Sequence, residues 1–247
     1  MNEDRRLKLY GFNNLTKNLS FSFYKLHYLS NSKQFAAYNK YIKSRYSADN
    51  LTTLLSNICH AIGGSILNIA EQDYQPHGAS VTLMISEEAQ PESVVAHLDK
   101  SHICVHTYPD DSPTNNIAIF RADLELSTCG VISPLKVLNF LIGEFDADVI
   151  DIDYRIRGMT RDQHGTKRFS DQVIDNISDY LSDTVKGKYQ YINQNMSMSN
   201  VFHSKLSRKE VNLDDHLLTL GNFPINFTQE TVILENIDRE LVELYSN

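Results

Sequence analysis

The chain has 247 residues, enough to bury a sizeable core, and we expect a single domain over residues 1–247. Hydrophobic residues make up 41% of the sequence and charged residues 22%, which is typical of a soluble globular protein. Its net charge is −8, from 23 Lys and Arg against 31 Asp and Glu, and it has no basic run that would follow phosphates. This balance argues against nucleic acid as a partner.

Membrane insertion, secretion and structural metal binding are also disfavoured. No segment reaches the roughly 18 apolar residues that a membrane span needs. The N-terminal MNEDRRLKLYGF lacks the apolar core of a secretion signal, so we expect a cytoplasmic protein with no membrane partner. The three cysteines have no CxxC spacing, which argues against both a disulfide framework and a zinc site.

The first third of the chain alternates between strand-like and helix-like patterns. Apolar and polar residues alternate in two early segments and again on both sides of a Pro/Gly turn, which predicts strands at 7–12, 19–28, 65–72 and 80–86. Two helices are expected between them, at 33–46 and 51–62. We expect Asp49 or Asn50 to cap the second helix and Gly63-Gly64 to end it.

The remainder of the chain continues this alternation. Strands are expected within 94–108, 117–130 and 148–158. Three helices are expected: one beginning at Ser133-Pro134, one capped by Ser170 that carries Ile174, Ile177 and Leu181, and one at the C-terminus with Ile233, Ile237, Leu241 and Leu244 on one face. This pattern predicts an α/β (α+β) fold, a two-layer sandwich of an antiparallel β-sheet with helices on one face.

The segment VVAHLDKSHICVHTYPDD (94–111) surrounds Ser101 with three histidines, His97, His102 and His106. Taken alone, a histidine on a strand is usually a hydrogen-bonded structural group, and a cysteine is usually a small buried hydrophobe. Asp151 and Asp153, near two arginines, are similarly typical of cross-strand charges rather than of a metal site. Periodicity by itself therefore indicates no more than a soluble α/β protein.

Longer motifs are more specific. LDKSHICVHTYP, followed by LSTCGVISPLKVLNFL, resembles the prokaryotic S-adenosylmethionine decarboxylases, in particular the longer enterobacterial type. GFNNLTK, NIAEQDYQPHGASVT and IDYRIRGMTRD fit the same family in order and spacing. The resemblance extends over residues 7–165 and fades in the C-terminal quarter.

This resemblance implies that the chain is a proenzyme that cuts itself between Lys100 and Ser101, giving chains of residues 1–100 and 101–247. Ser101 would become a covalent pyruvoyl group that condenses with the amine of S-adenosylmethionine. The resemblance further implies that His106 accepts a proton during processing, that Ser80 supplies a hydroxyl near the cleaved bond, and that Cys129 donates the proton in decarboxylation.

The resemblance also suggests contacts with the substrate and with a metal ion. Tyr74 falls where the family stacks the adenine ring. Asp110 falls where a glutamate usually binds the ribose, with Asp111 as the alternative because an aspartate is one methylene shorter. The enterobacterial type is expected to use Mg²⁺ as an activator, although the sequence shows no ligands for it.

Strand geometry predicts that the site is shared between protomers. Residues five apart on an extended strand lie on opposite faces and about 17 Å apart, so Ser101 and His106 of one chain should not meet. We therefore expect a homo-oligomer in which Ser101 and Cys129 of one chain meet Ser80 and His106 of another across a two-fold interface.

Two other functions stay open at this level. Asp110, which departs from the usual glutamate, allows a pyruvoyl-dependent arginine or ornithine decarboxylase of the same family. A regulatory pseudoenzyme is the non-enzymatic alternative, although the joint presence of Ser101, His106 and Cys129 argues against it.

Overall fold

The protein is described here by a computed structural model, which covers residues 7, 9–86, 101–218 and 227–246. The strands are β1 (Leu9–Asn13), β2 (Thr16–Tyr28), β3 (Ser65–Asp73), β4 (Ala79–Ser86), β5 (His102–Pro109), β6 (Ile117–Cys129), β7 (Val149–Arg157), β8 (Thr160–Asp162), β9 (Lys167–Arg168), β10 (Tyr189–Met196) and β11 (Val201–Arg208). The helices are α1 (Ser32–Arg45), α2 (Ala48–Ile62), α3 (Leu138–Phe145), α4 (Asp183–Lys188) and α5 (Phe227–Ser246), with short 3₁₀ turns at Pro134–Val137, Ile177–Tyr180, Ser197–Ser199 and Leu213–His216.

A large antiparallel sheet forms the centre of the described residues. Its eight strands run in the order β10-β11-β7-β2-β6-β5-β4-β3, and a smaller sheet joins β1, β8 and β9. The two long central strands pair over their full length, from Thr16 opposite Cys129 to Tyr28 opposite Ile117. This register fixes which side chains of β6 face each side of the sheet.

One side of this sheet, the helical face, packs against α1, α2 and α3. Alternate residues of β2, such as Phe21 and Phe23, are buried there in one cluster with Leu55 and Ile58 of α2. Burying each side chain of this size contributes about 1.5–3 kcal/mol relative to leaving it exposed. The predicted α/β sandwich with an antiparallel sheet is therefore confirmed.

The opposite side, the open face, carries the alternate and mostly polar residues. It is defined by Ser80 and Thr82 on β4, His102, Cys104 and His106 on β5, Asp123, Glu125 and Cys129 on β6, Asn18, Ser20 and Ser22 on β2, Asp151 and Asp153 on β7, and His203 and Lys205 on β11. The structure adds one helix to the predicted arrangement on this side. The buried residues Ile233, Ile237 and Leu241 of α5 pack on Leu26 and Val149 at one end of the open face.

Two predicted helix starts are wrong. Ser47, rather than Asp49 or Asn50, caps α2, because its hydroxyl accepts a hydrogen bond from Asn50 N–H at 3.3 Å. Ser170 does not cap a helix: its hydroxyl bonds to the backbone of Gln172, and the next helical turn begins only after Asn176. A buried ion pair, from Lys17 Nζ to Asp171 Oδ2 at 2.6 Å, holds this irregular segment against the end of β2.

Two other helix boundaries agree with the prediction from the sequence. Gly63 ends α2 in the left-handed conformation at a φ of 88°, which a glycine adopts without strain. Pro134 opens the helical segment that continues into α3. Strands β10 and β11 extend the sheet in a region where the sequence predicted only a final helix. None of the described helices combines the length and apolarity needed to cross a bilayer.

A buried histidine lies beneath the sheet at the end opposite Ser101. His27 is 1% exposed and packs against the rings of Tyr38 and Tyr41 at centroid distances of 5.4 Å. Neither ring nitrogen has a hydrogen-bond partner among the described residues. Burial, assisted by the Lys25 charge, lowers the pKa of His27 from its usual 6.5 to about 3, so the folded protein keeps this imidazole neutral.

Candidate active site

Ser101 lies immediately before β5 and is only 6% exposed. Its hydroxyl donates a hydrogen bond to the Cys129 thiol sulfur at 3.3 Å, although the two residues are 28 positions apart in sequence. Its carbonyl oxygen accepts a hydrogen bond from Ile85 N–H at 3.3 Å. Lys100 and His97, two residues of the predicted site region, lie outside the described residues.

These contacts involve two Ser101 atoms at which the predicted self-cleavage would take place. The bond to Cys129 fixes the rotamer of the hydroxyl, so Oγ is held in one direction rather than rotating freely. The bond from Ile85 N–H draws electron density from the Ser101 carbonyl and stabilises negative charge that develops there. A stabilised carbonyl oxygen makes the neighbouring Cα proton easier to remove.

Ser80 and His106 form a second group at the other end of β5. They are directly opposite each other in the register of β4 and β5, and both lie on the open face. Residues that face each other in this way have Cβ atoms about 5 Å apart. Tyr74, which is 40% exposed, shares a hydrogen bond between its hydroxyl and that of Ser80 at 2.8 Å.

The structure thus brings the predicted site residues together as two separate groups. Ser101 contacts Cys129, and Ser80 faces His106 beside Tyr74. Because β5 is a regular strand from His102 to Pro109, about 17 Å separates the two groups within one chain.

The Asp110 carboxylate binds backbone of the β5–β6 turn. Its Oδ1 accepts a hydrogen bond from Ser112 N–H at 2.8 Å, and its Oδ2 accepts one from Ile119 N–H at 3.4 Å. Asp111 accepts a hydrogen bond from the Ser112 hydroxyl at 3.0 Å. These hydrogen bonds show that the Asp110 carboxylate orders the turn. Its predicted contact with the ribose stays a prediction.

Sequence reasoning missed two features of the open face. The Tyr108 ring is 47% exposed and stacks under the Arg121 guanidinium, whose carbon lies 4.4 Å from the ring centroid. His102 Nε2 lies 3.5 Å from Glu125 Oε1, close to the hydrogen-bonded Ser101 and Cys129. Both could have been found from the alternation of β5, which places residues 102, 104, 106 and 108 on one face.

A metal ligand set is not evident. Among the described residues, no three His, Cys, Asp or Glu side chains converge as they would around a metal ion. Asp123, Glu125, Asp151 and Asp153 share the open face but contact hydroxyl, amide or basic side chains: Ser22, Asn18, Lys205 and His203. The predicted Mg²⁺ activation has no support in this geometry.

Comparison with known proteins identifies the chain's relatives. The family model described as S-adenosylmethionine decarboxylase matches residues 42–158. A protein of Pseudoalteromonas translucida (strain TAC 125) named S-adenosylmethionine decarboxylase proenzyme is 46% identical over 255 residues, covering 97% of this chain and 94% of that protein. The chain belongs to the S-adenosylmethionine decarboxylase family.

Other members of the decarboxylase family match over similar lengths. The proenzymes of Hahella chejuensis (strain KCTC 2396) and of the enterobacterium Citrobacter koseri (strain ATCC BAA-895 / CDC 4225-83 / SGSC4696) are each 45% identical, covering 97% and 98% of this chain. They are themselves covered over 96% and 97% of their length. The resemblance noted in the sequence is thereby confirmed, and it extends into the C-terminal quarter, where no motif was recognised.

Proposed function

We propose that this protein decarboxylates S-adenosylmethionine to supply an aminopropyl donor for spermidine synthesis, after cutting its own chain at Lys100-Ser101. The observation that carries the proposal is the hydrogen bond between the Ser101 hydroxyl and the Cys129 thiol. Relatives that match over nearly the whole chain are named proenzymes, which supports activation by cleavage.

The self-cleavage needs a β-hydroxyl next to the bond that breaks. Ser101 Oγ attacks the Lys100 carbonyl carbon, a C–O bond forms, the peptide C–N bond breaks, and the Oγ proton moves to the released nitrogen. His106 then accepts the Ser101 Cα proton, and the Lys100 carboxylate departs from Cβ, leaving a dehydroalanine. Water replaces the nitrogen, which is lost as ammonia, and the products are residues 1–100 and a pyruvoyl-bearing 101–247.

The residues present fit a pyruvoyl group at position 101. When formed, that group supplies a ketone conjugated to an amide, which accepts the electron pair released as CO₂ departs. Ile85 N–H already binds the carbonyl oxygen of that amide, at 3.3 Å. The Cys129 thiol lies beside position 101, where it holds a proton at Sγ for delivery to the substrate carbon.

The two residue groups of the site meet between protomers. Ser80, His106 and Cys129 lie on the open face, Ser101 reaches Cys129 from just before β5, and about 17 Å of β5 separates Ser101 from His106 in one chain. A two-fold axis that brings two open faces together places Ser101 and Cys129 of one protomer beside Ser80 and His106 of its partner, and repeats the arrangement at the other end. A dimer then holds two composite sites, each binding S-adenosylmethionine, with the Tyr74 ring available to the adenine.

Two measurements, made one after the other, test this function. Denaturing mass spectrometry on freshly purified protein should show a break after Lys100 and a blocked N-terminus on the 101–247 fragment, whereas Ser101→Ala should stay intact. Release of CO₂ from carboxyl-labelled S-adenosylmethionine, arginine and ornithine then identifies the substrate. An intact wild-type chain would favour the regulatory alternative, and release from arginine or ornithine would move the assignment to a basic amino acid.

A further inference from the structure

A chain of polar contacts crosses the open face beside the Ser101–Cys129 pair. The Ser20 hydroxyl donates to Asn18 Oδ1 at 2.7 Å, and Asn18 Nδ2 donates to Glu125 Oε1 at 2.5 Å. The same Glu125 oxygen lies 3.5 Å from His102 Nε2. These four residues belong to β2, β6 and β5, so the contacts link three adjacent strands, and the proposed chemistry leaves them without a role.

This chain of contacts lies beside Ser101 and Cys129. His102 is the first residue of β5 and follows Ser101 directly. It faces Ser127 across the ladder, two residues before Cys129 on the same face of β6. The contact with Glu125 is therefore a diagonal one, over the distance of about 7–8 Å that long side chains bridge between strands.

We propose that His102 and Glu125 are positioning residues for self-cleavage, and that their contact holds the start of β5 against β6 so that Ser101 stays on Cys129. This inference rests on the proposed function. Ser101 lies just outside the strand, and strand ends open more easily than strand centres. A cross-strand contact one residue away limits that opening, and nucleophilic attack is sensitive to displacements of about 1 Å.

The same sheet face contains a matched control. His203 Nδ1 lies 2.9 Å from Asp153 Oδ1, so this pair is also a histidine on one strand beside a carboxylate on its neighbour. His203 is on β11 and Asp153 on β7, and β11 is four strands away from β5, about 19 Å. Removing this pair removes the same kind of histidine–carboxylate contact from the same face, far from Ser101 and the start of β5.

The test compares cleavage rates of full-length chains. Newly synthesised protein is sampled over time, and the cleaved fraction is read by denaturing mass spectrometry for wild type, His102→Ala, Glu125→Ala, the double variant, His203→Ala and Asp153→Ala. We expect His102→Ala and Glu125→Ala to lengthen the half-time at least about tenfold, because they release the nucleophile from its position. The double variant should be no slower than the slower single one, since both remove one contact.

Three readouts separate positioning from loss of stability. The melting temperatures of the His102 and Glu125 variants should match those of the His203 and Asp153 variants, which should cleave at the wild-type rate. His102→Gln, whose carboxamide can still donate to Glu125, should recover the rate to within about threefold of wild type. In the fully cleaved fraction of each variant, kcat should fall more than KM rises, because Cys129 is displaced relative to position 101.

If the wild-type protein cuts itself and His102→Ala and Glu125→Ala do so at the same rate, the positioning role is overturned. The proposed function then still stands. A wild type that never cuts would instead remove the proposed function. If His102→Ala fails to fold, Glu125→Ala and Asn18→Ala decide the question. Equal slowing by the Asp153 and His203 variants would also overturn the inference, since it would show a general effect of the open face.

Discussion

Complementation between two inactive chains tests whether the active site is shared. Ser101→Ala removes the hydroxyl proposed to attack the Lys100 carbonyl, and His106→Ala removes the group proposed to accept the Cα proton of Ser101. Each homodimer therefore lacks one component at both of its sites. In the mixed dimer, one site combines an intact Ser101 with an intact His106 of the partner, while the other site lacks both.

The expected yield follows from this geometry. If the two chains associate at random from equal amounts, about half of the dimers are mixed and about one quarter of all chains is cut. Every cut chain should be the His106→Ala variant, because the other chain has no hydroxyl at position 101. A site built within one chain would give no cut chain at all, and about 17 Å of β5 between Ser101 and His106 argues against such a site.

The assay uses two tags on coexpressed chains. Tandem purification isolates the mixed dimers, in which about half of the chains should be cut, and denaturing mass spectrometry identifies which variant was cleaved. Native mass spectrometry confirms that both chains are present. Absence of cleavage in the mixed dimer, or cleavage divided equally between the two variants, would refute the shared site.

Three further predictions follow from individual residues. Cys129→Ala should still cut its chain, although more slowly because the Ser101 hydroxyl loses the hydrogen bond that orients it. The cut protein should lose about a hundredfold or more of kcat, measured as CO₂ release, as expected for loss of a general acid; a complete failure of cleavage would mean that the thiol acts earlier. Tyr74→Ala should raise KM at least about tenfold while Tyr74→Phe changes it little, because stacking of a base on an aromatic ring contributes roughly 1–3 kcal/mol and needs no hydroxyl; equal effects would assign the hydroxyl the role instead. His27→Phe should reduce the loss of stability on acidification. The unfolded chain binds a proton at this imidazole below about pH 6.5, whereas the folded chain does not do so above about pH 3. Stability therefore decreases as the pH is lowered from about 6.5 to about 3, by up to about 1.4 kcal/mol per pH unit. Urea unfolding at pH 7.5 and pH 5 measures the difference, and an unchanged pH dependence in the variant would contradict the argument.

Local patterns in the sequence were sufficient to predict most elements and to recognise the family. The alternation in β7 and the apolar stripe of α5 were read correctly because each reports the side of one element that is buried. Ser101, His106 and Cys129 were identified through motifs that carry the family resemblance. Such motifs are visible without a structure because they are contiguous in the chain.

Elements that depend on distant partners were not predictable. The segment after Phe169 has the composition of a helix, but the ion pair of Asp171 with Lys17, 154 residues earlier, holds it in an irregular path. β10 is mostly exposed, so it shows little alternation in hydrophobicity, and it becomes a strand by pairing with β11.

Contiguous motifs in the sequence were enough to place this chain in its family and to nominate Ser101, His106 and Cys129 as site residues, because residue identity and spacing are properties of the chain alone. Which of these groups meet depends on how the strands pair in the folded chain. The register of β4 on β5 places Ser80 opposite His106, and the pairing of β5 with β6 brings Ser101 to Cys129. Register is set by the sum of many contacts between segments far apart in the sequence, and no single segment carries that information.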